Sequence, residues 1–380
     1  MKEEYMTPQE RTTAAINLEE PDRVPIAPII GMDLPATYYG LNIAELHREP
    51  IKAIEAMVKF FDEFGGWDGY STLPLIKIGY ILGGLKFKAP GQELPDAPGY
   101  YGQFDEGEWM KVEDYKTIAD IGWGKFVAEE YIYRISDWTP EDVEENRKKY
   151  FQFALKGGEE YTIKRKMGMR TGANRVHPFF LLSLNRSLLK FTQDLYYRPE
   201  LVEAALDTMT DGLIKSTIAQ CKGNGGNVVF IPEERAEGAI YPLKIFERFW
   251  WPYTKRIVES LYDEGIISWL HLDQCWDLNI PYFKDLPRAS CIIDLDGLTD
   301  IFRAKEILKD HLCLMSDVSA SLFSIGTPQQ VEDYVKKLID KLGVDGGHIL
   351  SSGCEVPPTC KPENFKAFLN TGKTYQLSKE

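Results

Sequence analysis

From about residue 150 onward the chain alternates short apolar runs with amphipathic stretches, and this rhythm limits the possible folds more than any other feature. Tyr161–Met169 opens it, ahead of Arg170-Thr171-Gly172. Helical spacing follows over Leu182–Tyr196 and Pro199–Cys221, then Asn227–Ile231 reads as a strand. The helix Leu243–Tyr262 leads to a strand at Ile266–Leu270, and Ser290–Leu295 is the next strand. Helix Thr299–Leu308, strand Leu312–Met315, helix Val331–Leu342, strand Gly347–Leu350 and helix Pro362–Leu369 complete the series. Strand-then-helix repetition of this kind builds parallel βα units. Counting from Ile26, about eight strand candidates emerge, which predicts a closed (β/α)8 TIM barrel rather than an open doubly wound sheet. No strand is followed by a G-x-G-x-x-G or P-loop motif.

The N-terminal part fits the same plan. Thr7-Pro8-Gln9-Glu10 is a capping-box start for a helix to about Asn17. Pro21-Asp22-Arg23-Val24-Pro25 leads into the apolar strand Ile26–Ile30, and Ile51–Phe64 has helical spacing closed by Gly65-Gly66. Residues 67 to about 150 break the pattern with prolines, glycines and many rings, among them Tyr80, Phe87, Phe104, Trp109, Trp123 and Tyr131. The expected organisation is a single barrel domain over 1–380, with residues 75–150 as an aromatic-rich insertion after the second strand. That insertion is either a surface excursion with its own small core or a lid that walls a pocket.

Net charge at pH 7 is −14. That argues against nucleic acid and anionic membrane as partners. No run of apolar residues is long enough to span a bilayer, and Met1–Met6 has no signal-peptide core, so a cytoplasmic protein is expected. The six cysteines are scattered, which is no disulfide framework.

Barrel enzymes carry their functional groups at the carboxyl ends of the strands. Here those ends supply Glu233, then His271 and Asp273, then Asp294 and Asp296, then Asp317, then Cys354. So many carboxylates on one rim need a cation. A mixed nitrogen, oxygen and sulfur donor set suits zinc with one open position. His271, Asp273 and Cys354 are the metal-ligand candidates. Glu233, Asp296 and Asp317 are the catalytic candidates, although Asp296 and Asp317 could instead cap the following helices. Cys275 and Asp277 read as flanking residues, and His177 and His348 as structural.

These residues carry a resemblance to the uroporphyrinogen decarboxylase superfamily. Its marks are Pro21-Asp22-Arg23-Val24-Pro25, the strand ending at His271, Asp294-Leu295-Asp296-Gly297, Ser316-Asp317-Val318, Gly326-Thr327-Pro328 and Ser351-Ser352-Gly353-Cys354. The decarboxylases place an arginine-rich loop after the first strand, where this chain has Gly31-Met32-Asp33-Leu34-Pro35. The chain is more similar to the zinc- and cobamide-dependent methyltransferase branch, which binds zinc through His-x-Cys and a late Cys. His271 and Cys354 match. Asp273 stands where the branch has its middle cysteine, so Asp273, Cys275 and Asp296 are all eligible as third ligand.

The resemblance implies Zn2+ as cofactor and a corrinoid (cobamide) carried by a separate corrinoid protein, since no Asp-x-His-x-x-Gly signature occurs in the chain. A carboxylate-rich zinc resembles the methyltransferases acting on a methoxylated aromatic small molecule, in which the metal assists departure of a phenolate. Transfer from the corrinoid to a thiol or folate-type carrier, porphyrinogen decarboxylation and a non-enzymatic binding barrel are the alternatives. A homodimer is among the assemblies left open.

Overall fold

The structure, a computed structural model, describes residues 5–69 and 76–375. The N-terminal leader reading rests partly on residues outside this range, and so do the end of the expected second strand and the start of the insertion. Two short antiparallel strands, β1 (Phe87–Lys88) and β2 (Gln103–Phe104), lie within the insertion. Six strands then form one parallel sheet in sequence order: β3 (Thr171–Asn174), β4 (Val228–Glu233), β5 (Ile267–Leu272), β6 (Cys291–Leu295), β7 (Cys313–Met315) and β8 (His348–Ile349). Single bridges close the ring. Leu350 pairs with Ile26 and Glu355 with Ile29, both parallel, and Gly69 pairs with Gly168 just ahead of β3. The Ile26 carbonyl accepts the amides of Asp68 and Gly69 at 2.8 and 3.1 Å. The architecture is therefore a (β/α)8 barrel whose first two strand positions are held by isolated bridges.

Alternation along the strands sorts the core. Val228 and Phe230, Trp269, Ile292, Cys313 and Met315, and Ile349 form one buried cluster inside the barrel with Ala27, Ile29 and Met169. Ala15 and Ile16 of the helix Pro8–Ile16 plug its lower end. That helix starts with the expected Thr7–Glu10 capping box. At the same lower end Arg11 bonds Asp22 and Asp68, each at 2.6 Å, Arg23 bonds Asp68 at 2.6 Å, and Asp68 also accepts the Ile26 amide at 2.9 Å. The Pro21–Pro25 motif is thus a structural clamp on the first strand position.

Three elements differ from expectation. Tyr161–Met169 holds no strand, because a π-helical turn covers Gly158–Lys164 and β3 begins at Thr171. Glu160 there accepts from Lys156 at 2.7 Å and Lys164 at 2.8 Å, four residues either side, the spacing that brings side chains together on a helix. The helix expected over Leu182–Tyr196 is two, Pro178–Arg186 and Leu188–Tyr197, broken at Ser187 with φ 61°. Leu243–Tyr262 is likewise divided between Phe249 and Trp251, because Pro252 cannot continue a helix and starts a new one. The insertion is mostly helical from Asp114 on, ending in the helix Pro140–Gly157. No helix among the described residues is long and apolar enough to cross a membrane.

Candidate metal centre

Period-two alternation sets Trp269 and His271 on the inner face of β5, and Asp273 follows in the loop above them. Across the mouth, the chain leaving β8 turns at Gly353 and delivers Cys354. One donor atom from each of His271, Asp273 and Cys354 lies within 4.8 Å of the others. His271 Nε2 stands 3.4 Å from Asp273 Oδ1. Donors around tetrahedral zinc sit about 3.3–3.8 Å apart, given bond lengths near 2.0–2.3 Å. The His271–Asp273 spacing lies in that range and Cys354 lies within 4.8 Å of both, so these residues could hold a zinc ion, and among the three candidates for third ligand the geometry brings in Asp273.

The ring nitrogens of His271 have separate partners. Nδ1 lies 2.7 Å from Oδ2 of Asp294, which neighbours His271 in the β5–β6 register. The same oxygen accepts Trp269 Nε1 at 2.9 Å. A carboxylate on Nδ1 fixes the ring and leaves Nε2 facing the cluster, the usual arrangement behind a metal-bound histidine. Asp294 and Trp269 are the site residues whose roles the sequence reading missed. Asp294 was seen only as a rim carboxylate, and the available signal was an aspartate inside an otherwise apolar strand, two residues before Asp296.

The charges are mutually perturbed. Burial alone would lower the His271 pKa, but Asp294 and Asp273 outweigh it and hold it well above the usual imidazole range. Burial pushes Asp273 up, and the charge and hydrogen bond of His271 together with the Cys354 thiol pull it below its ordinary value. Burial raises the Cys354 thiol despite the pull of His271.

The other candidates do not join this cluster. Glu233 has the opposite parity on β4 and points outward. Its Oε1 accepts the amides of Glu234 and Arg235, and its Oε2 takes Trp250 Nε1 at 2.8 Å. Asp296 accepts the amides of Gln274 and Leu298 at 2.8 and 2.9 Å, so it ties two loops together. Asp317 accepts the Tyr334 hydroxyl at 2.8 Å and lines a separate cavity of about 470 Å3 with Ser319, Leu322 and Gln330. Cys275 donates to Asp277 at 3.6 Å, and Asp277 caps the Asp300 amide. His177 is buried, bonding the Phe179 amide and Thr254, and His348 is buried within β8.

Further carboxyl groups approach the mouth. Glu355 follows Cys354, and its Oε1 lies 1.4 Å from where a Cβ on Gly31 would stand, so its side chain uses the room that glycine leaves. Burial and then Asp33 raise Glu355 to about 8, and burial raises Asp33 to about 6. Glu234 is lifted to about 7 by burial and then by Asp273. Tyr80 of the insertion lies among Glu355, Tyr150, Asp33 and Glu234, with burial first and these groups next raising its hydroxyl. Its ring stacks on Phe87 at 4.4 Å and meets Phe104 edge-on at 4.9 Å.

Residues 164–375, more than half the chain, match the profile of the uroporphyrinogen decarboxylase (URO-D) family. The chain belongs to that family. It is 22% identical over 182 residues to uroporphyrinogen decarboxylase from Pseudoalteromonas translucida, covering 48% of this chain and 50% of the relative. It is 24% identical over 184 residues to the methylcobamide:CoM methyltransferase MtbA of Methanosarcina acetivorans, covering 48% of this chain and 52% of the relative. The chain thus spans about half the length of the curated relatives it matches. In fold it is similar to a methyltransferase from Methanosarcina mazei, with TM-score 0.73, 15% identity and coverage of 97% of this chain and 99% of the other. That likeness supports the barrel assignment. The matched region includes His271, Asp273, Asp294 and Cys354, whereas the clamp at Arg11–Asp68 and the insertion expected over residues 75–150 lie outside it.

Proposed function

We propose that the protein is a zinc-dependent methyltransferase that moves a methyl group from a methoxylated aromatic compound to the cobalt of a separate corrinoid protein. The observation that carries this reading is the His271–Asp273–Cys354 cluster at the mouth of a URO-D-family barrel. Zinc held there would supply a Lewis acid to the ether oxygen, and a carboxylate in place of a second thiolate would leave it more electrophilic. Asp294 holds His271 Nδ1 so that Nε2 keeps its direction. Tyr80, stacked on Phe87, provides a flat wall suited to an aromatic ring, and this supports reading the insertion as a lid over the site. Residues 31–35 carry no arginine, which disfavours the polyanionic tetrapyrrole of a decarboxylase.

The similarity to methylcobamide:CoM methyltransferases supports a second reading, methyl transfer from a corrinoid to a thiol. Two measurements decide. Elemental analysis of wild type, His271→Ala and Cys354→Ala should show zinc in the first and its loss in both variants; full occupancy in the variants removes the site. Incubation with reduced free cobalamin and a series of methoxybenzenes should give methylcobalamin and the matching phenols. Absence of transfer from every aryl ether, with methylcobalamin consumed by added thiol, selects the second reading.

A further inference from the structure

The helical arm that closes the insertion suggests an assembly independent of the proposed reaction. The helix Pro140–Gly157 buries Val143 and Phe153 on one side. On the other it exposes large apolar side chains, Phe151 at 64% and Leu155 at 58%, and Ile163 beyond it is exposed at 71%. Glu144, Lys148, Phe151 and Leu155 are spaced four, three and four apart and so share one face. Each i+4 step overshoots an α-helical turn, so the stripe would drift away after Leu155. The π-helical turn over Gly158–Lys164 is wider and undershoots, which returns Glu159 and Ile163 to the stripe.

The charges along this stripe reverse about its centre. An acid–base pair, Glu144 with Lys148 at 3.3 Å, precedes the apolar residues, and a second, Glu159 with Lys164 at 2.9 Å, follows them. The order along the chain is acid, base, Phe, Leu, acid, base. A two-fold axis near residues 153–154 would set this pattern against itself in antiparallel sense. Phe151 then meets Leu155 of the second copy, Lys148 meets Glu159, and Glu144 meets Lys164. A parallel pairing would instead set Lys148 against Lys148 and Glu159 against Glu159. Self-complementarity of one patch about a dyad is what a two-fold interface requires.

We propose that the protein forms a homodimer through antiparallel packing of the Phe151–Leu155 stripe, with its flanking charges, on the same stripe of a second copy. Light scattering over a concentration series should give twice the 43.4 kDa chain mass for the wild type. Phe151→Glu and Leu155→Glu should each give monomers. Lys148→Glu should weaken the dimer by about tenfold, because the symmetry counts each altered pair twice. Lys148→Glu with Glu159→Lys should restore it, since only the antiparallel register pairs these positions between copies. Phe151, Leu155, Lys148 and Glu159 are all exposed within one chain, so the variants should keep the wild-type circular dichroism spectrum and lose only the concentration-dependent stability that the dimer adds. A monomeric wild type, a dimer indifferent to both apolar changes, or a double charge variant no tighter than Lys148→Glu would each overturn the proposal.

Discussion

Asp294→Asn tests whether the metal centre depends on the carboxylate behind it. Asp294 is fully buried. Its Oδ2 faces both His271 Nδ1 at 2.7 Å and Trp269 Nε1 at 2.9 Å, while its Oδ1 has no partner among the described residues. In the asparagine only one oxygen remains. If that oxygen keeps the Oδ2 place, the amide NH2 falls where Oδ1 stood and is left without an acceptor, at a cost of about 1–3 kcal/mol. If the amide flips, its NH2 confronts the indole and imidazole N–H groups. Either way the hold on the ring slackens. Zinc affinity should fall about 10–100-fold, the usual consequence of losing such a partner, or about 1.4–2.7 kcal/mol. A competition titration against a chromogenic zinc chelator measures this, with thermal melting in parallel to confirm the fold. Trp269→Phe removes one donor and leaves the His271 contact, so its loss should be smaller. An Asp294→Asn protein that binds zinc within about twofold of wild type, while His271→Ala does not bind it, would refute this reasoning.

Three further outcomes follow from the same geometry. Gly353 has φ 72°, and an added Cβ would lie 3.1 Å from the Asp296 carbonyl and from Asp317 Cα, so Gly353→Ala should shift Cys354 and lower zinc occupancy, read by elemental analysis, with circular dichroism unchanged. Arg11→Ala leaves the buried Asp22 carboxylate without its guanidinium, while Asp68 keeps Arg23, and should cost about 3–5 kcal/mol, seen as a lower urea midpoint. Burial raises the Asp317 carboxyl from 3.8 to about 6. The folded state therefore holds that proton more tightly, and the stability it contributes is full below about pH 3.8 and is lost as pH rises through about 6. Relative to Asp317→Asn, which carries no charge there, the wild type should lose about 3 kcal/mol across that window, and a difference that stays constant with pH would refute the assignment.

The barrel was legible because its later strands are short apolar runs ending in polar residues, and those ends were read in the right order. The meeting of His271, Asp273 and Cys354 in one cluster was legible for the same reason. Glu233 shows the limit. It stands at a strand end like His271, but on β4 it shares the outward face with Val229 and Ile231, so its carboxylate serves Trp250 and the backbone. Position along a strand was visible in the sequence, and the facing of a terminal residue was not, because register between strands sets it. Asp296 and Asp317 lie in loops where alternation gives no guide, and backbone amides and Tyr334 claimed their oxygens. Helix breaks at Ser187 and before Pro252 fall inside continuous apolar spacing. The proline was a usable signal; the left-handed Ser187 left none.

Placement of Cys354 depends on closure of the barrel more than on its own loop. The Ser351 hydroxyl donates to the Ala27 carbonyl at 2.9 Å, and Ser352 Oγ accepts the Ile29 amide at 3.0 Å. The same Ser352 hydroxyl donates to the Cys354 carbonyl at 2.7 Å. The cysteine is therefore registered against the first strand position, whose own alignment is fixed below by Asp68 on the Ile26 amide. His271 is registered independently, through six residue pairs with β4 and five with β6. The donor set thus joins a well-paired sector of the sheet to the sector closed only by single bridges. A metal bound to both sides would tie that weaker seam to the stronger one, so binding energy at the mouth would also be spent on keeping the barrel closed. The hydroxyls of Ser351 and Ser352 reach the backbone of the first strand position and so set where the cysteine stands relative to it.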